Sequence, residues 1–95
     1  KNVELNLPIA PWEAALGATV SAPTLSGVVQ LKVPPGSSSG KRLRLKGRGM
    51  PGNEPGDFYV RLMVDTPEPE TDEQKAAYEN LRELFKYNPR DNLTI

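Results

Sequence analysis

Between residues 34 and 51 the chain reads Pro34-Pro35-Gly36-Ser37-Ser38-Ser39-Gly40-Lys41-Arg42-Leu43-Arg44-Leu45-Lys46-Gly47-Arg48-Gly49-Met50-Pro51. A proline-glycine turn, a serine hinge, an alternating basic strand and a glycine-rich exit follow one another with no room for a helix. Proline removes a backbone donor and glycine raises the entropic cost of ordering, so regular segments must end at such punctuation. With ten prolines and eight glycines among 95 residues, and a hydrophobic share of only 37%, that constraint extends over most of the chain. The expected product is a thin, sheet-based single domain with a modest core.

The flanking segments agree. Val3, Leu5, Leu7 and Ile9 alternate with Glu4, Asn6 and Pro8, which predicts a half-buried strand whose end Pro8 demotes to an edge or a bulge. Pro11 then opens Trp12-Glu13-Ala14-Ala15-Leu16, a helix of one to two turns with Gly17 as its C-terminal cap. Trp12, the only tryptophan, is expected to plug one end of the core. Thr19-Val20-Ser21-Ala22 alternates again and stops at Pro23; residues 24–27 make a turn, and residues 28–33 return with Val29, Leu31 and Val33 on one face, an antiparallel hairpin. Beyond the serines, Leu43 and Leu45 point one way while Arg42, Arg44 and Lys46 point the other, a strand with a solvated basic face.

A long loop over residues 47–56 leads to the strongest strand, Phe58-Tyr59-Val60-Arg61-Leu62-Met63-Val64. Its even positions are all large and apolar, and its second face carries Tyr59, Arg61 and Met63, mixed enough to act as a contact surface. Pro67-Glu68-Pro69-Glu70 is a stiff linker. Thr71-Asp72-Glu73-Gln74 fits a capping box, so a helix should follow, running to about Tyr87 and stopping before Pro89. Its residues Ala77, Tyr78, Leu81, Leu84 and Phe85 form an apolar stripe that must be covered, either by the chain's own sheet or by a second copy. A tethered terminal helix with Tyr and Phe anchors favours the second copy.

Charge is divided between body and tail. Net charge is zero, but residues 1–64 carry eight cations against four acids and residues 65–95 carry four cations against eight acids. Lys41, Arg42, Arg44 and Lys46 are therefore candidate DNA-phosphate contacts. Base readout or stacking would need an inserted helix or aromatic residues, and neither flanks this strand in sequence. A charged face that discourages edge-to-edge pairing is the plainer reading of the same residues.

Catalysis is not expected. The chain has no cysteine and no histidine, which removes disulfides, thiolate ligands, the commonest metal ligand and the usual general base. Gly47-Arg48-Gly49-Met50-Pro51-Gly52 matches a dinucleotide fingerprint by letter, but Asn53-Glu54-Pro55-Gly56 opens no helix behind it. No nucleophile-base pair or carboxylate dyad can be assembled, so no catalytic, cofactor or metal site is predicted. No apolar run approaches the roughly 18 residues of a membrane helix, and no membrane partner is predicted. The strand pattern is already running at Lys1, so the chain reads as a segment of a longer protein.

Taken together, residues 7–17, 20–23, 31–36, 40–51 and 56–60 resemble, in order and spacing, the second C-terminal β-domain of DnaJ-family (J-domain) co-chaperones. Phe85-Lys86-Tyr87-Asn88-Pro89-Arg90 is similar to the end of the curved-DNA-binding-protein branch, which lacks the zinc module. The resemblance implies a mainly β fold: a small antiparallel β-sandwich or sheet domain over residues 1–67, with one short helix after the first strand, then a linker and an amphipathic dimerisation helix over residues 68–95. It implies a non-enzymatic, bacterial cytoplasmic or nucleoid-associated homodimer that helps hold unfolded client proteins for a DnaK-type chaperone. The J domain that engages that chaperone uses a His-Pro-Asp motif and is not in this chain. Tyr78, Leu81, Leu84 and Phe85 would then form the dimer interface, with Tyr59 and Met63 as candidate client contacts. DNA binding through the basic strand is the alternative.

Overall fold

The computed structural model describes residues 2–49, 56–91 and 93. Five strands and two helices follow in the order β1 (Val3–Ile9), α1 (Pro11–Leu16), β2 (Ala18–Thr24), β3 (Gly27–Val33), β4 (Arg42–Leu45), β5 (Phe58–Val64) and α2 (Asp72–Phe85). β5 lies between β1 and β4 in a three-stranded sheet, and β2 pairs with β3 in a hairpin. The fold is mainly β, with the short helix after the first strand and the terminal helix in their expected places. β2/β3 and β4/β5 are antiparallel, whereas β1 and β5 run parallel. A parallel pair needs a long crossover, and everything from α1 to β4 supplies it.

The alternation in β1 and β5 sets the core. Val3, Leu5, Leu7 and Ile9 stand opposite Phe58, Val60, Leu62 and Val64, so two apolar faces become one. Leu43 and Leu45 of β4 extend it opposite Val60 and Phe58. The hairpin covers this face with Ala22, Leu31 and Val33, and α1 closes it with Ala14. Val60, Leu62 and Ala22 are wholly buried. At about 1.5–3 kcal/mol for each fully buried Val, Leu or Phe side chain, this small cluster is the main stabilising contribution to the body.

The prolines fall where the lattice tolerates them. Pro8 is on β1, an edge strand, as expected. Pro23 lies inside β2 rather than ending it, because β2 has a partner on one side only and Pro23 can face away from the ladder.

The serine segment is not a free hinge. Gly40 donates to the Leu62 carbonyl (2.6 Å), Leu62 donates to the Lys41 carbonyl (2.8 Å), and Ser39 Oγ accepts from the Val64 amide (3.0 Å), so these residues carry the β4 side of the ladder on along β5. Ser37 is buried with its hydroxyl on the Pro34 carbonyl. The Gly36 and Ser37 amides donate to the Ala15 and Ala14 carbonyls at 3.1 and 2.9 Å, satisfying acceptors that the end of α1 leaves open. Gly17 turns there with φ +83°, packed against Pro35.

At the far side, Gly49 donates to the Gly56 carbonyl at 2.9 Å and closes the base of the 47–56 loop. Met50, Pro51 and Gly52 of the dinucleotide-like letters lie outside the described residues, as does Lys1 of the first strand pattern; the next element after the loop is β5, not a helix.

Candidate functional site

Two surfaces of the molecule carry side chains that its own packing does not absorb. The first is the outer face of the three-stranded sheet. Register places Glu4 beside Tyr59, Asn6 beside Arg61 and Pro8 beside Met63, with Arg42 beside Arg61 and Arg44 beside Tyr59. The candidate client residues Tyr59 and Met63 thus share a face with the candidate DNA residues Arg42 and Arg44. The Arg42 guanidinium lies 4.1 Å from the centroid of the Tyr59 ring, a cation–π contact. An aromatic group does flank the basic strand; it is distant in sequence and brought there by the β4/β5 register.

This face is less basic than its sequence. Arg42 and Arg61 are directly opposed like charges, an arrangement that costs stability unless bridged. Glu4 bridges them, with Oε1 3.0 Å from Arg61 Nε and 3.6 Å from Arg42 Nε. Arg61 also donates to the Gly40 carbonyl. Asp57 takes Arg44 Nε on one oxygen at 2.7 Å and the Gly47 amide on the other at 2.9 Å. The Gly47 amide, then Arg44, hold its carboxyl below the usual value of 3.8. The solvated basic face expected from the alternation is present, with Arg42, Arg44 and Lys46 all exposed, but Arg42 and Arg44 are also engaged by acids from β1 and from the residue before β5. Lys41 and Lys46 form no ion pair among the described residues.

The second surface is α2 with α1. Thr71 Oγ1 accepts from the Gln74 amide and Gln74 Oε1 accepts from the Thr71 amide, both at 3.1 Å, the reciprocal box expected from the letters. The helix ends at Phe85 rather than near Tyr87, because Lys86 turns into the left-handed region (φ 47°) with its amide on the Arg82 carbonyl. Asn88 precedes Pro89 and is biased out of the helical region, so the chain must leave the helix early.

No residue of α2 is buried. Leu81, Leu84 and Phe85 are 48%, 73% and 69% exposed, while Tyr78 is half-buried with its hydroxyl on the Pro67 carbonyl at 3.0 Å. The helix stands off the sheet: the radius of gyration is 17.0 Å, against about 13 Å for a compact chain of this size. The apolar stripe does not fold back on its own sheet.

Trp12 corrects another expectation. It does not plug the core but is 58% exposed. Ala14 is the α1 residue that faces inward, and Trp12 lies about 200° from it around the helix. Leu16, one turn on from Trp12 and 77% exposed, shares its outer face. Trp12 lines an open groove of about 300 Å³ with Pro8, Ile9, Ala10, Asp65 and Pro67. The i, i+4 spacing of Trp12 and Leu16 on either side of Ala14 was the signal that would have found this surface. Among the described residues no cluster of acidic side chains is placed to hold a metal ion, and no helix is long and apolar enough to cross a membrane.

Comparison with known proteins adds the relationship. Residues 1–67 match the family model of the DnaJ C terminal domain. Over 93 residues, 98% of the chain, it is 56% identical to a curved DNA-binding protein of Coxiella burnetii (strain RSA 493 / Nine Mile phase I), of which that stretch is 30%. It is 48% identical over 92 residues to the protein of the same name from Serratia proteamaculans (strain 568), covering 94% of this chain and 29% of that one. It is 49% identical over 78 residues to that of Salmonella newport (strain SL254), covering 81% and 25%. The chain thus spans less than a third of the length of these curated relatives, and it belongs to the DnaJ C-terminal domain family.

Proposed function

We propose that the chain is the dimerising, client-binding C-terminal part of a DnaJ-type co-chaperone. Residues 1–67 are its second C-terminal β-domain and residues 68–95 its linker and dimerisation helix. Tyr78, Leu81, Leu84 and Phe85 pair two protomers, Tyr59 and Met63 touch the client, and the DnaK-type partner is engaged by a J domain outside this chain. The reading places it in the bacterial cytoplasm or at the nucleoid.

The observation that carries the proposal is the uncovered stripe of α2. An isolated helix of about 12–15 residues is marginal in water, and α2, at 14 residues, has no buried residue: among the described residues only Tyr78 of the stripe is half-buried, against the linker, while Leu81, Leu84 and Phe85 stay exposed. A partner face supplies the missing burial. Two copies then hold two weak client sites at high effective concentration. Light scattering at tens of micromolar should give a dimer, and Leu84→Ala with Phe85→Ala should give a folded monomer that suppresses aggregation of a denatured client less well. A wild-type monomer at that concentration refutes the dimer; undiminished suppression by the monomer refutes its use in client holding.

A second reading, DNA binding, is favoured by the Arg42–Tyr59 contact beside Lys41, Arg44 and Lys46. The relatives' names point the same way. With Arg42 and Arg44 held by Glu4 and Asp57, the two lysines are the cations most available to phosphate. Binding should then fall with salt at a logarithmic slope of about −2 per domain, not about −4. No binding at low salt ends this reading.

A further inference from the structure

The outer face of the three-stranded sheet holds a stacked pair that phosphate contact alone does not explain. Tyr59 sits on β5, the central strand, with β1 and β4 on either side, and the Arg42 guanidinium lies 4.1 Å from the centroid of its ring. The Arg42 side chain is itself 48% exposed, so the pair presents a planar cation at the surface of the sheet. Charge around the pair is divided. Glu4 stands opposite Tyr59 in the β1/β5 register and takes Arg42 and Arg61, while Asp57 takes Arg44. Lys41 and Lys46, flanking the two ends of β4, form no ion pair among the described residues. The acid beside the ring turns phosphate away from the middle of the face, and the lysines draw it to the ends.

Resting on the DNA reading above, we infer that this face takes single-stranded DNA in preference to duplex, with bases stacked over Arg42 and Tyr59 and phosphates on Lys41 and Lys46. In a duplex the bases show only their edges, in a major groove about 12 Å wide that admits a helix or a two-stranded ribbon. Three strands about 5 Å apart, with their side chains, are wider than that, so Tyr59 at the centre of the sheet cannot reach a base edge. A duplex therefore sets only its phosphates on this face. An unpaired strand can turn its bases onto aromatic and guanidinium planes. Length agrees. From Lys41 to Lys46 is at most about 17 Å at about 3.3 Å per residue. About five nucleotides cover that distance at a rise of about 3.4 Å, within the roughly 4–16 that a single OB-fold sheet occupies.

Fluorescence anisotropy at low salt tests this with the full chain and three labelled probes: a short oligothymidylate, the same strand without its bases, and a duplex of equal length. Oligothymidylate should bind about fivefold or more tighter than either of the others, the effect of at least one stacked base. Tyr59→Leu should remove most of that advantage while affecting the baseless strand and the duplex less, and Tyr59→Phe, which keeps the ring, should retain it. Lys41→Ala with Lys46→Ala should weaken all three probes and flatten the salt slope for the single strand by about 0.7 per lysine. Equal binding of the strands with and without bases overturns the stacking, as does a duplex that binds as tightly as oligothymidylate, and both leave the DNA reading intact. Binding of none of the three ends the DNA reading and this inference with it.

Discussion

Gly17→Ala tests the joint on which the outer face of α1 depends. Gly17 has φ +83° and ψ 152°, a region that side chains rarely enter, at a cost of about 1–3 kcal/mol. A Cβ there would lie 3.0 Å from both Cδ and Cγ of Pro35 and 3.1 Å from its nitrogen. Pro35 cannot easily withdraw, since the next two residues hold the Ala14 and Ala15 carbonyls. Overpacking adds about 1–3 kcal/mol, so the total is roughly 2–6 kcal/mol. Gly27→Ala is the control: its φ is +113°, but nothing lies within 4 Å of the added atom, so only the backbone cost remains. Urea unfolding followed by circular dichroism, with all variants at one protein concentration because dimerisation shifts apparent stability, gives both values. Gly17→Ala should be the worse of the two by about 1 kcal/mol or more. Equal losses would show that Pro35 yields and that the α1 joint is not the tight contact described.

Other substitutions address separate parts of the structure. Leu62→Ala, at a wholly buried position, should cost about 2–5 kcal/mol in the same assay. Thr71→Ala removes the oxygen that accepts from Gln74 and should cost about 1 kcal/mol of helix stability, read as lost helical ellipticity and a weaker dimer. Asp57 has a lowered folded-state pKa, so its contribution is complete above the ordinary value of 3.8 and disappears as pH falls below that value through the folded one. Asp57→Asn should therefore be less stable than wild type at neutral pH, with the gap narrowing at about pH 3 in urea midpoints.

What could be read from the sequence was local. The box from Thr71 to Gln74, the helix start at Pro11 and the alternation from Phe58 to Val64 depend on neighbours within a few residues, and each appears where expected. The serine segment looks like a hinge from its letters alone because its partners, Leu62 and Val64, lie more than twenty residues away. The exposed basic face was legible from the alternation, but its partners were not, for the same reason. Arg42, Glu4, Tyr59 and Arg61 come from three strands, and only the β1/β5/β4 order makes them neighbours. Trp12 was misplaced for a different cause: its size argued for burial, whereas a six-residue helix with Ala14 inward can only turn Trp12 out.

That common face makes the client and DNA readings mutually dependent. Tyr59 and Met63 would receive a client segment on β5, and Lys41 and Lys46, flanking the two ends of the adjacent strand β4, would receive phosphate. Strands in a sheet are about 5 Å apart, which is less than the width of a peptide strand with its side chains or of a DNA backbone. Both ligands would also use the same stacked pair, Arg42 on Tyr59. An extended client peptide should therefore release bound DNA in proportion to its own occupancy, as read by fluorescence anisotropy of a labelled duplex. Tyr59→Ala should weaken both, whereas Lys46→Ala, outside the stacked pair, should weaken DNA alone. Simultaneous saturation by both ligands would refute a shared face and would require one of them to bind elsewhere on the molecule.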